Sequence, residues 1–209
     1  MKKIIVFDLD GVLFDSIDAI EKNMLDMYPG FTKEIFQKLA CGNFHEEIKK
    51  VSISKKIETK EEEAKRKLLY SKNKSTIPMY IGSKELLKGL HQSGYILALN
   101  TSSYNHACLP LLERSNVISL FDFIATAEVS TSKVEKFKII KEKYDLNNED
   151  CLFITDTLGD IKEADIANIP TVAVTWGQHD RSYFTREKHK NLIKIVDSFE
   201  ELKDFIFNS

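Results

Sequence analysis

The chain is poor in cysteine, has no long apolar run and carries almost no net charge. Cys41, Cys108 and Cys151 are its three thiols in 209 residues, with no C-x-x-C pair among them. An odd, scattered set argues against a disulfide framework and a structural zinc site, so all three read as reduced, packed thiols. No stretch approaches the ~20 apolar residues of a membrane-spanning helix. Lys2 and Lys3 followed by Ile4–Phe7 begin like a signal peptide, but Asp8 and Asp10 break the run well short of the ~7–15 apolar residues such a segment needs. The expected compartment is the cytoplasm. Thirty basic and 32 acidic residues give a net charge of −2, which lacks the strong positive bias of general nucleic-acid or membrane-surface binders. There is no internal repeat and no low-complexity linker.

What is present is an ordinary globular mix, 43% hydrophobic and 30% charged, long enough for one core domain carrying a smaller one. Lys3–Phe7, Tyr95–Leu99, Phe121–Ala125, Cys151–Thr155 and Thr171–Val174 are short apolar runs without polar alternation, which suits strands buried on both faces of a parallel sheet. Leu192–Val196 reads as an edge strand. Helical periodicity occupies Gly82–Ser93, Val134–Tyr144, Leu158–Asn168 and Ser198–Phe207. Strands alternating with helices imply an α/β fold with a doubly wound parallel sheet.

Residues 15–78 break the alternation. They offer no convincing buried strand and read as helices over Ser16–Met27, Thr32–Ala40, Phe44–Ser52 and Glu58–Ser75, separated by turns at Pro29-Gly30 and Cys41-Gly42-Asn43. The expectation is a small helical domain over 15–78, inserted into an α/β core made of 1–14 and 79–209. The mixed charge of Lys55–Lys74 reads as a solvated helix face.

Two acidic clusters carry the chemistry. Asp8-Leu9-Asp10-Gly11 follows the first strand directly, and Asp156-Thr157-Leu158-Gly159-Asp160 follows the strand Cys151–Thr155. Parallel sheets bind ligands beyond the carboxyl ends of their strands, and carboxylates gathered there are costly unless a cation or a reaction uses them. If the two strands are neighbours, Asp8, Asp10 and Asp156 converge with Asp160 close behind. An all-oxygen set of this kind suits Mg²⁺, which keeps waters and takes one or two carboxylates plus substrate phosphate. Thr101-Ser102-Ser103 ends another strand and offers hydroxyls and backbone N–H groups to phosphate oxygens. Lys133 stands at the start of a helix.

In this order the set resembles the haloacid dehalogenase-like superfamily of phosphohydrolases. The matching stretches are FDLDGVLFDS (Phe7–Ser16), LNTSS (Leu99–Ser103), SKVEKF (Ser132–Phe137) and FITDTLGDIKEA (Phe153–Ala164), which together span nearly the whole chain. The helical insert matches that superfamily's cap placed after the first motif, as in its phosphoglycolate phosphatase-like members. The resemblance implies a Rossmann-like core and a Mg²⁺-dependent phosphatase acting on a small phosphorylated metabolite. Asp8 is then the nucleophile that forms an aspartyl-phosphate, and Asp10 the acid and base. Thr101, Ser102 and Lys133 bind phosphate. Asp8, the Asp10 carbonyl, Asp156 and Asp160 hold the metal, Asp160 directly or through water.

Two positions depart from the pattern. Thr155 stands where many members have Gly, and Val134 where many have Pro, which leaves Lys136 as a rival to Lys133. Asp10 argues against dehalogenation, since a halide needs no proton, and no lysine of the insert stands out as a Schiff-base former. Asp15 and Ser16 read as helix capping, and His45 as a residue of a cap turn of the kind that can face substrate. A phosphomutase, or a catalytically silent binding protein on the same fold, remains as an alternative. The particular substrate and the oligomeric state are not legible.

Overall fold

The structure, a computed structural model, describes residues 4–208; Lys2 and Lys3 lie outside them. Ile4–Phe7 form β1, buried along its whole length, as continuous β-branched and aromatic residues in a covered parallel strand should be. After it come four helices, α1 (Ile17–Met27), α2 (Lys33–Leu39), α3 (Phe44–Lys50) and α4 (Lys60–Lys74). Alternation of helix and strand then resumes through α5 (Ser83–Gln92), β2 (Ile96–Asn100), α6 (Asn105–Arg114), β3 (Phe123–Ala125), α7 (Lys133–Tyr144), β4 (Cys151–Thr155), α8 (Leu158–Ala167), β5 (Thr171–Val174), α9 (Arg181–Thr185), β6 (Leu192–Val196) and α10 (Phe199–Phe207).

The six strands form one sheet in the order β3-β2-β1-β4-β5-β6, and every pair is parallel. Leu192–Val196 is the edge strand that the sequence suggests. Strand order runs one way from β1 through β2 to β3 and the other way from β4 to β6, so the topological switch lies between β1 and β4, where α/β sheets place their ligands. Side chains of β1 alternate between two cores. Ile5 and Phe7 pack with Leu86, Leu87 and Leu111 on one face, and Ile4 and Val6 pack with Phe137, Ile140 and Ala164 on the other. That alternation is the physical content of a doubly wound sheet.

The sequence reading leaves 105–114 unassigned. Pro110, inside α6, masks the helix, since an interior proline costs ~3 kcal/mol. Burial of Ala107, Cys108, Leu111 and Leu112 on one side of α6 outweighs it. Helix α9 is a second element absent from that reading.

The segment α1–α4 has an apolar cluster of its own, with Met24, Phe31, Phe36 and Leu39 at its centre. The chain leaves and re-enters the core side by side. Phe14 bridges Met79, and Tyr80 N donates to the Leu13 carbonyl at 3.0 Å. Closing contacts join insert and core. Gly159 N donates to Ala40 O at 2.8 Å, and Asn43 Nδ2 donates to Thr131 O at 2.9 Å and to Glu163 Oε1 at 3.0 Å. No helix among the described residues is long and apolar enough to cross a membrane.

Candidate active site

The pairing of β1 with β4 sets Phe7 opposite Ile154 and delivers Asp8 and Asp156 to adjacent strand ends. Asp8 N donates to the Ile154 carbonyl at 2.9 Å, which fixes the start of the loop. Gly11 then turns the chain with φ +75°, and any side chain there would run into the Asp156 carboxylate.

Lys133 is the hub. It is the first residue of α7 and is buried, and its ammonium lies 2.9 Å from Asp8 Oδ1 and 2.7 Å from Asp160 Oδ2. It also donates to the Asn100 carbonyl at the end of β2, at 2.9 Å. One cation thus ties together the ends of β1 and β2 and the first turn of α8. Asp160 Oδ2 accepts a further bond from the Thr155 hydroxyl at 2.6 Å, which gives the atypical Thr155 a role in holding Asp160. Lys136 lies close by but points elsewhere: its Nζ donates to the Thr101 carbonyl at 2.6 Å.

Electrostatics mark Asp8 and Asp156 as the strained pair. Burial pushes Asp8 up to about 7, partly offset by Lys133, while Asp160 and Asp10 push the same way as burial. Burial also raises Asp156 well above the ordinary carboxylate value, and Asp8 adds to it. Burial alone would lower the Lys133 ammonium, yet Asp160 and Asp8 outweigh it and keep the group charged. Lys136 falls to about 8 through burial and the neighbouring Lys133.

The Asp156 carboxylate shows whether the oxygen set suits a cation. Oδ2 accepts from Gln178 N at 2.7 Å, but Oδ1 is buried with no partner among the described residues. An unsatisfied buried carboxylate oxygen beside a second disfavoured carboxylate fits a bound cation. Among the described residues, no group of three or more His, Cys, Asp or Glu side chains closes into a cage. Mg²⁺ does not require one, because it binds through one or two carboxylates and keeps its waters.

Thr101 is buried and its Oγ1 accepts from Ser103 N at 3.0 Å, which closes the Thr101–Ser103 turn. Ser102 lines a cavity of about 530 Å³ together with Asp8, Asp10, Thr101, Asp156 and Asp160. The structure therefore brings together every residue named as catalytic, phosphate-binding or metal-binding from the sequence, with Lys133 beneath Asp8.

Three further residues surround Asp10. The ammonium of Lys74, the last residue of α4, lies 2.6 Å from Asp10 Oδ1 and 2.9 Å from Oδ2. The Ser103 hydroxyl donates to Asp10 Oδ2 at 2.6 Å, and the Ser16 hydroxyl donates to Oδ1. Burial would raise Asp10, but Lys74, Ser103 and Ser16 outweigh it and hold the carboxyl below its usual value. Two readings from sequence are corrected here. Lys74 is not part of a solvated lysine face but is wholly buried. Ser16 precedes α1 without a side-chain capping bond and is spent on Asp10 instead. The only sequence signal for Lys74 is its place at the end of the insert, among lysines of the same appearance.

A model of the haloacid dehalogenase-like hydrolases matches residues 5–174. The chain belongs to this family. It is 28% identical over 193 residues to a phosphoglycolate phosphatase from Aliivibrio fischeri, covering 84% of this chain and 85% of that protein. Among solved structures it is similar to a phosphatase, described as predicted, from Clostridium acetobutylicum (TM-score 0.75, 22% identity, all of both chains). It is also similar to CbbY from Rhodobacter sphaeroides in complex with phosphate (TM-score 0.75, 18% identity, 97% and 96% of the two chains). At these identities the structural likeness shows the fold. The six-stranded core and helical insert are thus those of a haloacid dehalogenase-like hydrolase.

Proposed function

We propose that this hydrolase is a phosphatase that removes phosphate from a small-metabolite monoester through an aspartyl-phosphate on Asp8. The observation that carries the reading is the placement of Asp8 at a strand end, with the Lys133 ammonium at 2.9 Å and, at the adjacent strand end, an Asp156 oxygen that has no partner among the described residues. The likeness to phosphatases supports it. Residues 15–78 act as the cap over that site, in a protein that works in the cytoplasm.

In the first step an Asp8 carboxylate oxygen attacks phosphorus, a P–O bond forms, and the bond to the substrate oxygen breaks as Asp10 delivers a proton to it. In the second, Asp10 takes a proton from water, which attacks the aspartyl-phosphate and releases inorganic phosphate. Lys133 and the Thr101–Ser102 turn offset charge on the transferring group. Asp8, Asp156 and the Asp10 carbonyl would hold Mg²⁺, with Asp160 reaching it through water because its Oδ2 already serves Lys133 and Thr155. When bound, that ion neutralises repulsion between carboxylate and phosphate. Lys74 favours ionised Asp10, so proton donation works against that pair and water activation works with it.

Acid quenching during turnover, followed by mass spectrometry, tests the covalent step. Phosphate on the peptide carrying Asp8 is expected; turnover with that peptide never modified would remove the proposal.

A further inference from the structure

The insert side of the cavity carries information about the part of the substrate that is not phosphate. Ile20, Met27, Phe44 and Ile48, from α1 and α3, are half-buried and present apolar surface to it. A chain of rings crosses from insert to core at the phosphate turn. Phe44 and His45 meet edge-on at 6.3 Å, His45 and Tyr104 edge-on at 5.8 Å, and Tyr104 and His106 stack at 6.0 Å. The chain is anchored beside Ser102, whose carbonyl accepts from His45 Nε2–H at 3.2 Å. Burial lowers the His45 pKa, so the ring is a neutral aromatic surface.

Two of the three basic side chains that line the cavity, Arg66 and Lys67, are already engaged. Lys67 pairs with Glu63 at 2.7 Å, Arg66 makes a forked contact with Glu58, and Lys74 holds Asp10. Lys55, exposed to solvent, is the one lysine or arginine among the described lining residues that makes no hydrogen bond or ion pair. A second anion on the substrate, such as a carboxylate two carbons from the phosphate, would be desolvated against apolar side chains without a buried cation to meet it. A cavity of about 530 Å³ also falls within the roughly 300–1,000 Å³ of pockets that enclose drug-sized ligands.

We infer that the preferred substrate is a phosphate monoester whose alcohol carries an uncharged aromatic body of about nucleoside size, seated between the apolar face of α1 and α3 and the His45–Tyr104 rings. The inference rests on the phosphatase reading and departs from the short, carboxylate-bearing alcohol that the name of the Aliivibrio relative suggests. Sulfur–aromatic contact with Met27 adds to the attraction for a ring.

The test compares kcat/KM of the Mg²⁺-loaded full chain for 2-naphthylmethyl phosphate and for 2-phosphoglycolate, both esters of unactivated alcohols. Acetyl phosphate, which has no body to recognise, reports the chemistry alone. The naphthyl ester should exceed phosphoglycolate by at least tenfold, and Met27→Lys should narrow that ratio at least fivefold. Binding to Asp8→Asn, measured by calorimetry, should show the same order of affinity. Asp8-dependent hydrolysis of acetyl phosphate with phosphoglycolate equal or preferred overturns the inference and leaves the phosphatase reading intact. Absence of Asp8-dependent hydrolysis of all three overturns both.

Discussion

The Lys74 ammonium sits 2.6 Å from Asp10 Oδ1, so the last residue of the insert's longest helix is paired with the carboxylate assigned the proton transfers. It also donates to the Ser103 hydroxyl at 2.8 Å. Both bonds are spent within the protein. Lys74→Met should therefore lower kcat, by roughly 10- to 100-fold against the 10²- to 10⁴-fold that a positioned acid–base group supplies, with KM little changed. Steady-state kinetics separate the two. A raised KM with kcat intact would mean that Lys74 contacts substrate instead. Stability should fall by about 3–5 kcal/mol, since a buried carboxylate loses its partner, and Asp10→Asn in the same chain should restore part of it.

Thr155 is one of the two positions that depart from the family pattern, and its hydroxyl donates to Asp160 at 2.6 Å inside the core. Thr155→Val preserves shape and deletes the donor. A loss of about 1–3 kcal/mol is expected in urea unfolding, with Thr155→Ser close to wild type. Equal stability of wild type and Thr155→Val would show that the bond contributes nothing.

Most of the core was legible because its signals are local. Ile4–Phe7 and Cys151–Thr155 announce buried parallel strands by composition alone, and the carboxylates that follow them announce the site. Lys133 was separable from Lys136 only by its position at the helix start; the structure sets the Lys133 ammonium against Asp8 and turns that of Lys136 to the Thr101 carbonyl. Helix α6 was hidden by Pro110, a local signal overruled by tertiary burial. Lys74, Ser16 and Ser103 were not legible as partners of Asp10, because their meeting depends on how the insert folds back over β1 and β2. Cys108 and Cys151 are packed inside and Cys41 is half-buried, in line with thiols that serve the core.

Burial raises Asp8 from its ordinary 3.8 to about 7, so the metal-free native state favours its protonated form. That contribution to stability is complete below about pH 4 and is lost as pH rises through 7. A cation binds the ionised form, so the gain in Tm on adding Mg²⁺ should grow between pH 5.5 and pH 8. Asp156→Asn should abolish the gain. A Mg²⁺ effect independent of pH and of Asp156 would contradict the proposed ligand set.

His179 is fully buried, accepts from Leu158 N at 3.0 Å through Nδ1, and stacks on Tyr183 at 4.1 Å. Burial lowers its pKa from 6.5 to about 4. The folded state prefers the neutral ring, so its contribution is present above pH 6.5 and lost as pH falls toward 4, an effect of up to about 3 kcal/mol. His179→Asn retains an acceptor and does not titrate. The stability difference between wild type and this variant, measured by urea unfolding, should shift against wild type across that window; a constant difference would contradict the assignment.

The most direct test of the central claim is phosphate release from a panel of metabolite monophosphates, with Mg²⁺ and with chelator, comparing wild type with Asp8→Asn. Wild type should release phosphate only with Mg²⁺, and Asp8→Asn should release none while unfolding cooperatively like the parent. Asp8→Asn activity close to wild type would contradict the account.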